Sequence, residues 1–119
     1  MGAGQESDAG ALMTLYILVN REPQKVDLYD WDKWRNEHEK DCRVACNYVC
    51  GDKVETRFHG NDQTGGGYIF ATKIRNEIAY QTKTWEEAEY AHSVACRDIS
   101  YKRERELLKQ AHKEHRPTK

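Results

Sequence analysis

Residues 42–59, CRVACNYVCGDKVETRFH, alternate between apolar and polar side chains over much of their length. Such alternation is typical of β-strands that have one buried and one exposed face. Gly51 and Asp52 interrupt the pattern, and a glycine in first place suits a two-residue type II′ turn. The stretch therefore predicts an antiparallel hairpin that turns at Gly51-Asp52, with Tyr48 and Phe58 on its buried face.

The residues before this hairpin predict a strand and a helix. Residues 14–20, TLYILVN, form a dense apolar run of the length of a buried strand. Residues 21–24 have the composition of a turn. Asp27 is placed to cap a helix, because its carboxylate can accept the free N–H groups of the first turn. That helix would carry Trp31 and Trp34 on one face.

The residues after the hairpin predict a loop, two strands and a second helix. Residues 59–67 are expected to form the loop, and residues 67–74 and 78–82 the strands. Thr84 and Glu87 have the spacing of a capping box, which starts the second helix. The fold class predicted is α+β in the order β-α-β-β-β-β-α, an antiparallel sheet with two helices packed on one face.

The chain divides into three parts by composition. Residues 1–12 contain little but Gly, Ala and small polar residues, and we expect a disordered leader. Residues 13–101 are expected to form a single α+β domain, since 119 residues suit one core. Residues 102–119 contain seven Lys or Arg and three Glu, and predict a basic helical extension with a frayed end.

The sequence lacks the patterns that are typical of several functional classes. The chain has no apolar run long enough to span a membrane and no secretory signal, so we expect a cytoplasmic protein with reduced thiols. It has no G-x-S-x-G elbow, no H-E-x-x-H motif and no Walker sequence. We therefore expect a protein that is not an enzyme and that uses no cofactor. Its net charge is −1.

Short motifs in these segments resemble those of small uncharacterised proteins of tailed phages and prophages. The shared motifs are an Arg-Val-Ala strand, a V-x-T-x-F-x-G-x-D hairpin strand and a T-W-E-E-A helix start. They fall here on Arg43-Val44-Ala45, on Val54, Thr56, Phe58, Gly60 and Asp62, and on Thr84-Trp85-Glu86-Glu87-Ala88, with His92 following. That family has no assigned activity. The resemblance implies an origin on a mobile element and favours a protein that binds a host or phage protein.

A polar segment beside a glycine run is the candidate binding loop. Its residues are His59, Asn61, Asp62, Gly65 and Gly66. Polar groups next to glycines are a common binding-site layout, because loops carry function on a rigid scaffold. The same residues also suit an ordinary turn, in which Asn and Asp side chains bond their own backbone. His92 is a candidate catalytic residue, but its place on the predicted helix favours an ordinary half-buried helix residue.

Cys42, Cys46 and Cys50 form the one set of candidate metal ligands, with His38 or His59 as a fourth. On a strand, residues four apart are separated by about 13 Å. Zinc–thiolate bonds are about 2.3 Å long, so two such thiolates cannot share one ion. A helix would bring the three together instead. We expect a strand, and therefore no metal site.

The basic tail is the candidate nucleic-acid contact, through Lys102, Arg103, Arg105 and Lys109. Interleaved glutamates oppose phosphate binding, so weak or no nucleic-acid binding is expected. The sequence favours a small protein-binding module, one form of which is an inhibitor of a host defence complex. The alternative is a nucleic-acid-associated accessory protein that uses the tail. We expect no membrane partner, and either a monomer or a homodimer.

Overall fold

The computed structural model describes residues 13–114, so the predicted leader over residues 1–12 lies outside the described residues, as do residues 115–119. The fold class is α+β, as predicted. The described elements are β1 Thr14–Val19, β2 Glu22–Val26, α1 Leu28–Glu37, a 3-10 helix Glu39–Cys42, β3 Arg43–Val49, β4 Asp52–Phe58, β5 Asn61–Asp62, β6 Phe70–Ile74, β7 Glu77–Thr82 and α2 Trp85–Glu114.

The strands form two antiparallel sheets, whereas one sheet was expected. The smaller sheet has the order β2-β1-β5, and the larger has the order β3-β4-β6-β7. Helix α1 packs against β1 of the smaller sheet, and α2 packs across all four strands of the larger one. The chain passes between the sheets at Gly60, whose carbonyl oxygen accepts the N–H of Tyr16 at 2.8 Å. A Cβ at Gly60 would overlap the Tyr16 carbonyl oxygen, so glycine is required there.

The predicted turn at residues 21–24 is wrong, because Glu22–Val26 form strand β2 of the smaller sheet. The structure turns at Asn20 and Arg21, which have φ angles of 56° and 68°. Positive φ at both central residues fits the right-handed twist of a hairpin. The chain then returns as β2, in which Pro23 pairs with Leu18. Proline is typical of turns, but an edge strand tolerates it because its missing N–H is not needed on the open side.

The main hairpin forms as predicted, but its turn lies one residue earlier than Gly51-Asp52. The turn residues are Cys50 and Gly51, with φ angles of 53° and 86°. A β-bulge also shifts the register between Arg43 and Ala45. An extra residue in a strand moves every later side chain to the opposite face. Tyr48 is therefore 72 % exposed, and its predicted place on the buried face is wrong.

The core lies between the larger sheet and α2 and continues under α1. Phe58 and Phe70 are its largest fully buried side chains. The ring of Trp34 meets Phe58 edge-on at 5.8 Å, and that of Trp85 meets Phe70 edge-on at 6.2 Å. Trp34 of α1 thus packs on Phe58, and Trp85 of α2 packs on Phe70. On α2, the residues facing the sheet are small or polar: Ala88, Ala91, His92 and Ala95.

Both predicted helix caps are present. The carboxylate of Asp27 accepts the backbone N–H of Asp30 at 2.8 Å. The hydroxyl of Thr84 accepts the backbone N–H of Glu87 at 3.1 Å. The Glu87 carboxylate accepts the N–H of Lys83 rather than that of the cap residue, so the second half of the capping box is displaced by one residue.

Deleting residues 102–119 is expected to leave the fold intact. Helix α2 continues to Glu114, yet every side chain from residue 102 to residue 113 is exposed. Little buried area is lost with this segment, so the free energy of unfolding should change by about 0.5 kcal/mol or less. Thermal unfolding of the truncated chain measures this. Loss of the cooperative transition would instead place Leu107 and Leu108 in a dimer interface.

Candidate functional site

The open face of the larger sheet carries a groove of about 580 Å³. This face is the one opposite α2, because Thr56 and Thr72 point toward the helix while Arg57 and Lys73 alternate with them. Residues of α1 and of the loop after β4 also line the groove. The small side chain of Ala71 lies between Arg57 and Gln81 in one cross-strand row. We call this hollow the basic groove.

Positive charge predominates in the basic groove. It is lined by Arg35, Arg57 and Lys73 against a single acid, Glu55. The Glu55 carboxylate lies 3.1 Å from Arg43 Nε, 3.4 Å from Arg57 Nη1 and 3.5 Å from Lys53 Nζ. Burial acts to raise the pKa of Glu55, but these neighbouring cations outweigh it and lower the pKa. Glu55 therefore stays ionised and is fully engaged by three cations.

His59 lies in the groove with one ring nitrogen already used. Its Nδ1 accepts the backbone N–H of Asn61 at 3.1 Å. In the neutral imidazole the proton is then on Nε2, which has no hydrogen-bond partner within residues 13–114. Burial lowers the pKa of His59, and repulsion from Arg35 and Lys73 lowers it further. His59 is thus an uncharged hydrogen-bond donor near neutral pH.

Two aromatic side chains border the groove, and each carries a cation on its ring. The indole N–H of Trp31 donates to the carbonyl oxygen of His59 at 3.2 Å, which ties α1 to the loop. The guanidinium of Arg35 lies 4.8 Å from the Trp31 ring centroid, and the ammonium of Lys83 lies 5.0 Å from that of Tyr68. These cation–π contacts hold positive charge at both borders.

The predicted binding loop contributes to the groove only in part. His59 and Asn61 line it, while Gly65 and Gly66 do not. Asp62 is 3 % exposed, and its two carboxylate oxygens accept the N–H groups of Gly65 at 3.0 Å and Gly67 at 2.9 Å. Asp62 therefore shapes the loop. Asn61 and Asp62 form the short strand β5, where only loop was expected.

The predicted tail residues lie away from the groove. Lys102, Arg103, Arg105 and Lys109 are on α2, which covers the opposite face of the larger sheet, and all four are exposed. Sequence reasoning missed Arg35, Arg57 and Lys73 as a group. The sequence contains one indication of this group. On the exposed side of the alternating β4 strand, every second residue is charged: Lys53, Glu55 and Arg57.

A polar network that is buried except at Asn47 connects the larger sheet to α2. His92 Nδ1 lies 2.8 Å from Thr56 Oγ1, which lies 2.8 Å from Thr72 Oγ1. His92 Nε2 lies 2.7 Å from Asn47 Oδ1. Because the Asn47 oxygen only accepts, Nε2 donates and Nδ1 accepts the Thr56 hydroxyl proton. Both threonines are fully buried and His92 is 5 % exposed, so these side chains hold the helix on the sheet, and the network reaches the surface at Asn47.

Purified protein is expected to carry no stoichiometric zinc. Cys42 is buried, and burial raises the pKa of its thiol, which disfavours the thiolate that binds metal. Within residues 13–114 no group of three His, Cys, Asp or Glu side chains is placed to hold a metal ion. Elemental analysis checks this expectation. About one zinc per chain, lost in the Cys46→Ser variant, would contradict it.

In comparisons with known proteins, no family model matches the chain, and no curated protein or solved structure matches it either. Among the residues that the structure describes, no helix is both long enough and apolar enough to span a membrane.

Proposed function

We propose that this chain is a small, non-enzymatic protein-binding module that holds an acidic segment of a partner protein in the basic groove. One observation carries the proposal: Arg35 and Lys73 line a groove about 580 Å³ in size, and neither forms an ion pair within residues 13–114. The chain as a whole is slightly acidic, with a net charge of −1. Three cations against one acid give the groove a local surplus of positive charge, as in surfaces that recognise anionic partners.

The partner is proposed to be a host or phage protein, following the resemblance to phage and prophage proteins. An inhibitor of a host defence complex is one form that such a module takes. The geometry supports the binding step itself: an open sheet face, flanked by Trp31 and Tyr68, supplies aromatic contact area beside fixed cations. Trp, Tyr and Arg are among the residue types enriched where protein partners bind.

Affinity purification from host lysate tests the proposal when it is paired with charge reversal. The wild-type chain should retain one dominant protein that the double variant Arg35→Glu/Lys73→Glu does not retain. The matched control, Lys102→Glu/Arg105→Glu, makes the same change of charge on the tail and should retain the partner. Equal capture by both variants would show that the groove is not the binding surface.

The second candidate is nucleic-acid association through the tail, which the full exposure of Lys102, Arg103, Arg105 and Lys109 favours. Glu104 and Glu106 lie among them and reduce the local surplus of positive charge. Any such binding should be weak and should fall steeply with salt, because it would be driven by counterion release. DNA and RNA titrations at low and physiological salt measure it. Tight binding at physiological salt would place this function ahead of protein binding.

A further inference from the structure

Within residues 13–114, three hydrogen-bond donors of the basic groove form no ion pair with an acid and no hydrogen bond to one, and they come from three different elements. Arg35 is on α1, His59 follows β4, and Lys73 is on β6. Lys73 is the cross-strand neighbour of Glu55, yet the Glu55 carboxylate is bound by Arg43, Lys53 and Arg57 instead. The ammonium of Lys73 is therefore left for a ligand.

The donors fit a dianion better than a carboxylate. A carboxylate is planar, and a single guanidinium can satisfy it through two parallel hydrogen bonds. A phosphoryl group carries about −1.5 to −2 charges at pH 7 and three acceptor oxygens. Arg35 and Lys73 supply two positive charges, and the Nε2–H of His59 supplies an uncharged third donor. Donors on three elements can approach a tetrahedral group from three directions.

We propose that Arg35, His59 and Lys73 form a subsite for a phosphoryl group, carried by a phosphorylated Ser or Thr in the acidic segment of the partner protein. This inference rests on the proposed function, because it names the chemistry recognised by the same groove. Asn61 fixes the His59 tautomer, and Trp31 holds both its own helix and the His59 backbone in place. His59, and Arg35 through its contact with the Trp31 ring, are thus held in position before a ligand binds.

The floor of the groove leaves room for such a group. Ala71 lies between Arg57 and Gln81 in the cross-strand row and is 9 % exposed, so the floor of the groove at this point is only a methyl group high. The groove volume of about 580 Å³ lies within the range of pockets that hold small ligands. An Ala71→Leu variant would fill this space without changing any charge, and it should weaken binding as the charge variants do.

Fluorescence polarisation with three labelled peptides tests the subsite. The peptides share the sequence Glu-Gly-Glu-X-Glu-Gly-Glu, where X is serine, phosphoserine or glutamate. We expect the phosphoserine peptide to bind about tenfold tighter than the other two, which is the gain of one or two charged hydrogen bonds. Lys73→Met and His59→Phe, which removes the N–H donor but keeps a ring, should each remove most of that gain, and the tail variant Lys102→Met/Arg105→Met should keep it. Near-ultraviolet circular dichroism checks that each variant is folded.

The outcomes separate this inference from the proposed function. Equal affinity for all three peptides, lost in Lys73→Met, would overturn the phosphoryl subsite and leave acidic-segment binding standing. A phosphoserine gain that survives both groove variants would place the phosphate elsewhere. Millimolar or weaker binding of every peptide would contradict both proposals. If a single-stranded oligonucleotide of about ten nucleotides binds more tightly than any peptide, and Lys73→Met abolishes it, the groove is a nucleic-acid site.

Discussion

Replacing Phe58 with alanine is expected to lower the free energy of unfolding by about 3–5 kcal/mol. Phe58 is 1 % exposed and contacts both Trp34 and Phe70, whose ring centroids lie 5.8 and 5.2 Å away. Removing the ring leaves a cavity that fixed neighbours on two helices and two strands cannot fill. A domain of this size has about 5–15 kcal/mol of stability in total, so much of it would be lost. Denaturant unfolding followed by tryptophan fluorescence gives the value.

Tyr48→Ala is the matched control for Phe58→Ala. Tyr48 is also a large aromatic residue of the same hairpin, but the bulge places it outside, where it is 72 % exposed. Its replacement should change the free energy of unfolding by about 0.5 kcal/mol or less. Similar losses for both variants would mean that the two rings share one buried face and that the bulge is misplaced.

The stability of the protein should fall as the pH drops below about 6.5, and His92 should be a main cause. Burial lowers the pKa of His92 in the folded state. The unfolded state therefore binds a proton at a higher pH than the folded state, so acid favours unfolding. The contribution of His92 to stability is fully present above the pKa that His92 has in the unfolded state. It is lost as the pH falls toward the lower pKa that His92 has in the folded state. His59 shifts in the same direction and adds to the slope.

The His92→Gln variant isolates this effect. At neutral pH the free energy of unfolding of this variant should be about 1–3 kcal/mol lower than that of the wild type, because Asn47 or Thr56 loses its hydrogen-bond partner. Between pH 7 and about 5 its stability should decline less steeply than that of the wild type, since one titrating group is gone. Chemical denaturation at several pH values measures both slopes. Parallel slopes would show that His92 is equally protonated in the two states.

The elements with strong local patterns were predictable from sequence. The β1 apolar run, the β4 alternation with its period of two, and the α2 stripe of Ala88, Ala91 and Ala95 with its period of 3.6 are all local patterns. The capping residues Asp27 and Thr84 were predictable for the same reason, since capping depends on residues within one turn. These features depend on neighbours along the chain.

The features that were missed depend on tertiary context. A bulge after Arg43 is one extra residue with no signature of its own, yet it moved Tyr48 outside and brought Asn47 to His92. Strand β2 lacked alternation and contained Pro23, so its edge position could not be inferred before the sheet was known.

The basic groove was missed for a similar reason. Arg35, Arg57 and Lys73 are far apart in sequence. Taken singly, each is what would be expected of an ordinary exposed residue. Only the register of β4 with β6 and the position of α1 bring them to one face. The candidate loop was predicted as a unit, but folding directs His59 to the groove and Asp62 to the backbone of its own loop.

The most direct test of the basic groove as the binding surface is a nuclear magnetic resonance titration. Isotope-labelled protein is titrated with an acidic, glutamate-rich peptide, and the amide and side-chain shifts are followed residue by residue. The groove account predicts saturable shifts at His59, Ala71, Lys73 and Ile78, with none along residues 102–113. Shifts confined to that helical segment, or no shift up to millimolar peptide, would contradict it.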